Sequence, residues 1–78
     1  MAYSPFKDKS IEAIAMEYDG SGNLLYLGNA AAGSSKGAAS WKIKKFTYSG
    51  GSLTDVQYAD GNANYDNIWD DRAGLSYS

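Results

Sequence analysis

The stretch WKIKKFTYSGGSLTDVQYAD, residues 41–60, decides the fold. Strand-forming residues fill 41–48, a Ser-Gly-Gly-Ser turn stands at 49–52, and Val56 and Tyr58 alternate on the return, which is the pattern of a β-hairpin. Trp41 and Ile43 share one phase of the alternation, and Phe46 and Tyr48 share the other. A β-bulge at Lys44–Lys45 would return all four side chains to one face.

Upstream, SIEAIAMEYDG (10–20) is ambiguous by itself. Ile11, Ile14, Ala15 and Tyr18 have helical spacing with Ser10 as a possible cap, whereas Ile14, Met16 and Tyr18 alternate as in a strand. The Gly-rich turn DGSGN (19–23) and the apolar run LLYLG (24–28) favour a strand over 11–18 and a first hairpin. Between the hairpins, GNAAAGSSKGAAS (28–40) has nothing larger than Asn apart from Lys36. It predicts a loop with little share in the core, long enough to be functional or ordered by a neighbour. Pro5 and the charged Lys7, Asp8 and Lys9 mark residues 1–9 as an N-terminal arm, leaving 10–78 as one small domain.

Downstream, Asp66 is placed to cap a short helix through NIWDDRA, with acids early, Arg72 late and Gly74 just past the end. LSYS (75–78) could add a short edge strand. The predicted fold is mainly β: a small antiparallel β domain of two hairpins, a sandwich or partly open barrel, with a short C-terminal helical turn.

Composition narrows the chemistry. A chain of 78 residues has a marginal core and often needs a staple. With no Cys and no His, disulfides, thiolate metal sites and an imidazole base are excluded, which leaves oxygen-held cations or neighbouring chains. The net charge of −2 argues against general attraction to nucleic acid. No apolar run approaches membrane-spanning length, and the N-terminal residues lack the apolar stretch of a signal peptide, so synthesis in the cytosol is expected.

The oxygen-rich stretch DGNANYDNIWDD (60–71) raises calcium, with Asp60, Asn62, Asn64 and Asp66 as candidate ligands. An EF-hand loop also requires Gly at position 6, an aliphatic residue at 8 and Glu at 12. Here those places hold Tyr65, Asn67 and Asp71, so a strand-ending turn is the simpler expectation, with no metal and no cofactor.

Catalysis finds little support either. The acids Asp60, Asp66, Asp70 and Asp71 form no evident pair, and Ser34, Ser35 and Ser40 have no His to activate them. Charge, however, is segregated. Residues 36–45 carry Lys36, Lys42, Lys44 and Lys45 with no acid; residues 55–71 carry Asp55, Asp60, Asp66, Asp70 and Asp71 with no base. Either the lysines guard a strand edge, or the two segments form complementary surfaces that meet between subunits.

The order YLGNAA (26–31), a Gly/Ala/Ser segment, ASWKIKKFTY (39–48), a Gly turn and YADGNANYDNIWDDRAGLSYS (58–78) resembles a short segment of virion proteins of tailed bacteriophages. The combined W-x-I-K-K and I-W-D-D-R pieces carry the resemblance, which spans about residues 24–78. It implies a non-enzymatic structural role in a virion built in the host bacterial cytoplasm. The partners would be other virion proteins or copies of the chain itself, either as capsid decoration or as an adaptor at a tail or fibre base. Candidate contact residues are Tyr3, Phe6, Lys36, Lys42, Lys44, Lys45, Asp70, Asp71 and Arg72, with Trp41 and Trp69 mainly in the core. The alternative is a Tyr-rich module that binds a ligand such as a glycan.

Overall fold

The computed structural model describes residues 12–78. Four antiparallel strands run in sequence order: β1 (Glu12–Tyr18), β2 (Leu24–Ala31), β3 (Ala39–Ser49) and β4 (Ser52–Tyr58). A two-residue strand β5 (Asn67–Ile68) pairs with the start of β3, and a 3-10 helix follows over Trp69–Gly74. The expected mainly β domain with a C-terminal helical turn is therefore what forms. The strands make one sheet, and its second layer is the C-terminal segment rather than a second sheet.

The ambiguous segment before Asp19 is a strand because its turn is built to return it. Asp19 Oδ1 accepts the Ser21 and Asn23 backbone N–H groups at 2.8 and 3.0 Å, and Gly22 takes the left-handed φ of 87° that the turn needs. Those bonds to the ionised form hold the Asp19 carboxyl below its ordinary value of 3.8.

Three expectations need correction. First, Lys44–Lys45 carries no bulge: β3 pairs without interruption with β2 from Lys42↔Asn29 to Lys45↔Tyr26. The irregularity lies at Thr47/Tyr48, where β4 skips from Asp55 to Leu53 and the Thr54 hydroxyl donates to the Thr47 carbonyl at 3.1 Å. Phe46 and Tyr48 therefore stay on the face opposite Trp41 and Ile43. Second, much of 28–40 is strand rather than loop, and its small side chains belong to the core. Ala30 is fully buried, and β2 and β3 leave only residues 32–38 as the connection. Third, Asp66 caps nothing. The 3-10 helix begins after Ile68 with no side-chain cap, Asp66 accepts from the buried Asn67 amide at 3.3 Å, and Gly74 is the last helical residue.

The core lies on one face of the sheet. Ala15, Tyr26, Gly28, Ala30, Trp41 and Ile43 line it, and Trp69, Leu75 and Tyr77 from the C-terminal segment cover it. Small residues opposite large ones make this work: Ala15, Gly28 and Ala30 leave the volume that the two indoles fill, with ring centroids 6.0 Å apart. The buried Trp41 indole donates to the Ser35 carbonyl at 2.9 Å, which ties the 32–38 connection to the core.

Arg72 locks the cover in place. Its Nε donates to Glu17 Oε1 of β1 at 2.6 Å, its Nη1 donates to the Trp69 carbonyl at 3.1 Å, and its guanidinium lies 4.6 Å from the Trp69 ring centre. Tyr77 then donates its hydroxyl to the Arg72 carbonyl at 2.8 Å; burial, with the Tyr26 phenol nearby, pushes that hydroxyl to about 12. The predicted edge strand at 75–78 appears as a single bridge, Ala59↔Tyr77, with Tyr58 and Ser78 exchanging backbone hydrogen bonds.

Candidate contact surface

The opposite face of the sheet has no such cover among the described residues. Strand alternation and register place Ile14 and Met16 of β1, Leu27 of β2, Lys42, Lys44, Phe46 and Tyr48 of β3, and Val56 and Tyr58 of β4 on this outer face. Ile14 is 58%, Met16 52% and Val56 44% exposed, while Leu27, Phe46, Tyr48 and Tyr58 are half-buried. Tyr18 and Leu53 extend the exposed apolar surface at the turn ends of β1 and β4. A contiguous apolar face of this kind marks an interaction site more often than scattered apolar residues do.

Two lysines stand among these side chains. The Lys42 ammonium lies 5.0 Å from the Tyr65 ring centre and Lys44 5.9 Å from that of Tyr58. A hydrogen bond with the Tyr65 hydroxyl raises the Lys42 pKa above its ordinary value of 10.5. The outer face is thus apolar and carries positive charge, with the Glu12 carboxylate at its rim.

The basic run of the sequence does not stay together. Lys45 points to the inner side, 5.7 Å from the Tyr77 ring centre, and Lys36 lies in the 32–38 connection, where its carbonyl accepts the Asp70 N–H at 3.1 Å. Asp70 and Asp71 are exposed on the 3-10 helix, on the side of the sheet away from Lys42 and Lys44. Arg72 is a structural residue here, because its guanidinium joins Glu17 and Trp69. Tyr3 and Phe6 lie outside the described residues.

The calcium candidates form a turn. Asp60 has φ 60° ahead of Gly61, Asn62 donates its side-chain amide to the Asp60 carbonyl at 3.4 Å, and Asn62 Oδ1 accepts the Asn64 N–H at 3.0 Å. Asn62 thus turns its side-chain oxygen to backbone, and Asp66 Oδ1 accepts from the Asn67 amide. No group of three or more acidic side chains converges as a metal site would require among the described residues.

Two shallow clefts flank the domain, each of about 400 Å3. One is lined by Glu12, Ala31, Ser34, Ser40 and Tyr65, and the other by Asp70, Asp71, Ala73, Gly74 and Leu75. Neither brings a nucleophile against an activating base.

Sequence reasoning read Ile14, Met16 and Tyr18 as a strand alternation without assigning them a face, and the structure places them on an exposed one. The signal was present in β3: large side chains on both phases mean two apolar faces, and the short C-terminal segment can cover only one. Set against protein families, curated proteins and solved structures, the chain matches none of them.

Proposed function

We propose that this chain is a non-enzymatic structural component of a tailed-phage virion that acts through protein–protein contacts, as capsid decoration or as an adaptor at the tail or fibre base. The observation that carries the contact role is the outer face, uncovered among the described residues, where Ile14 and Met16 on β1 and Val56 on β4 stand exposed on either side of Lys42 and Lys44. A small domain with a one-sided core gains by burying its second face on a neighbour, and symmetric assemblies supply neighbours. The phage assignment rests on the sequence resemblance over about residues 24–78.

The test is to purify particles of a phage that encodes the chain, separate heads from tails, and quantify the chain in each fraction by mass spectrometry. A stoichiometric amount that survives washing, in heads for decoration or tails for an adaptor, is expected. Its absence from washed particles overturns the proposal.

A second reading, a ligand- or glycan-binding module, draws on one observation. Tyr65 is 47% exposed beside a cleft with Glu12, Ser34 and Ser40, and aromatic faces with hydroxyl and carboxylate neighbours suit sugars. Glycan-array binding that is lost in Tyr65→Ala would favour it.

A further inference from the structure

We infer that the outer sheet face docks on the acidic C-terminal side of a second copy of this chain, so that copies associate head to tail. The inference rests on the contact role proposed above and adds its partner and polarity.

Charge complementarity selects the partner. Among the described residues the one ion pair is Arg72–Glu17, so Lys42 and Lys44 carry their charge on the outer face without a carboxylate in contact. On the other side of the sheet, Asp70 and Asp71 rim an open cleft that Ala73, Gly74 and Leu75 complete. One side therefore offers apolar side chains with ammonium groups, and the other offers an apolar notch with carboxylates. The carboxylates of the notch complement the ammonium groups of the outer face, whereas two outer faces placed together would set lysines against lysines.

The two surfaces lie on opposite sides of the domain. They cannot both be satisfied in a twofold dimer, where one patch meets the same patch. Each copy would keep one open surface, and growth would continue until a ring closed or an open stack formed. Contact strength follows from size. Four strands about 4.8 Å apart, overlapping over about 17 Å, give a face on the order of 300 Å2, well under the roughly 800 Å2 per partner of a standard stable interface. Association is therefore weak for one contact and depends on concentration and salt.

The test is light scattering of the purified full chain over a wide concentration range, with two double variants that fold by circular dichroism. Lys42→Glu/Lys44→Glu reverses the outer face, and Asp70→Lys/Asp71→Lys reverses the acidic side. The wild type is expected to grow past a dimer as concentration rises. Each variant alone is expected to weaken association roughly tenfold or more. A mixture of the Asp70→Lys/Asp71→Lys chain with the Lys42→Glu/Lys44→Glu chain is expected to restore growth with the two chains alternating, because every contact between unlike chains again sets lysines against carboxylates. A wild type that stays monomeric or stops at a dimer overturns the inference, as does a variant that assembles like the wild type. If a reversal prevents folding, the wild type in about 0.5 M salt, where screening is nearly complete, replaces it. Loss of assembly supports the inference, and salt-insensitive assembly refutes it. A monomer that is nevertheless found in washed particles defeats this inference alone; absence from particles defeats the contact role beneath it.

Discussion

Gly28→Ala should destabilise the protein, although adding a methyl group to a strand glycine normally helps. Gly28 sits in β2 between Ala15 of β1 and Ile43 of β3, with its open side against the two indoles. A Cβ there would stand 2.6 Å from Trp69 Cε3, 2.8 Å from Trp69 Cζ3 and 3.0 Å from Trp41 Cε3. Carbon atoms rest at about 3.5–4.0 Å, so the Trp69 ring must retreat by roughly 1 Å. It has little freedom to do so, being 4% exposed with the Arg72 guanidinium against the ring. Overpacking of this kind costs about 1–3 kcal/mol, and the lower entropy of the unfolded alanine chain offsets about 0.4–1 kcal/mol. The net loss of about 1–2 kcal/mol corresponds to a fall in melting temperature on the order of 5–15 °C for a domain of this size. Thermal unfolding followed by circular dichroism reads it directly. Repeating the substitution in a Trp69→Phe background should shrink the loss, because the smaller ring leaves room. A Gly28→Ala chain that melts at or above the wild type would refute the packing of Trp69 over β2.

Arg72→Ala should cost about 1–2 kcal/mol in urea unfolding: the partly exposed ion pair with Glu17 contributes about 0.5–1 kcal/mol after solvent screening, and stacking on Trp69 adds a similar amount. Arg72→Lys should recover less than half, since an ammonium has no planar fork, and full recovery would show that charge alone matters. Asp19 shapes the acid limb of stability. Its carboxyl lies below 3.8 in the folded chain, so the unfolded chain takes up the proton first, and the turn's contribution is present above about pH 4 and lost as pH falls through the lower folded value. Asp19→Asn should therefore flatten the fall in melting temperature between pH 5 and pH 2, and an unchanged slope would remove Asp19 from the cause. Chelator should leave the melting temperature unchanged, because Asp60, Asn62 and Asn64 bond within their own turn; a drop of several degrees would revive a calcium site.

The turns carried most of the fold. Asp19, Gly22 and Gly50–Gly51 supply backbone geometry and hydrogen bonds that act locally, so both hairpins were legible from neighbouring residues alone. The role of Trp69 was legible for a similar reason, since a lone indole after an Asp/Asn turn has few places to go except the core. What the sequence hid depends on contacts distant along the chain. The small residues of 28–31 look like loop until Trp69, some forty positions later, fills the space above Gly28. The missing bulge at Lys44–Lys45 has the same origin: the helical-turn segment covers one face only, so Phe46 and Tyr48 need not rejoin Trp41. The charge split of the sequence survived only in part. Lys42 and Lys44 share the outer face, but strand alternation sends Lys45 to the other side.

The most direct test of a one-sided core with an outer face made for contact is oxidative footprinting of the chain, dilute and then assembled in concentrated solution or in particles. Met16 and Tyr18, 52% and 55% exposed, should be modified quickly in the dilute chain, and Trp41 and Trp69 should be protected. Assembly should then protect Met16 by a large factor and leave the two tryptophans unchanged. Met16 protected already in the dilute chain, or equally reactive after assembly, would contradict the account.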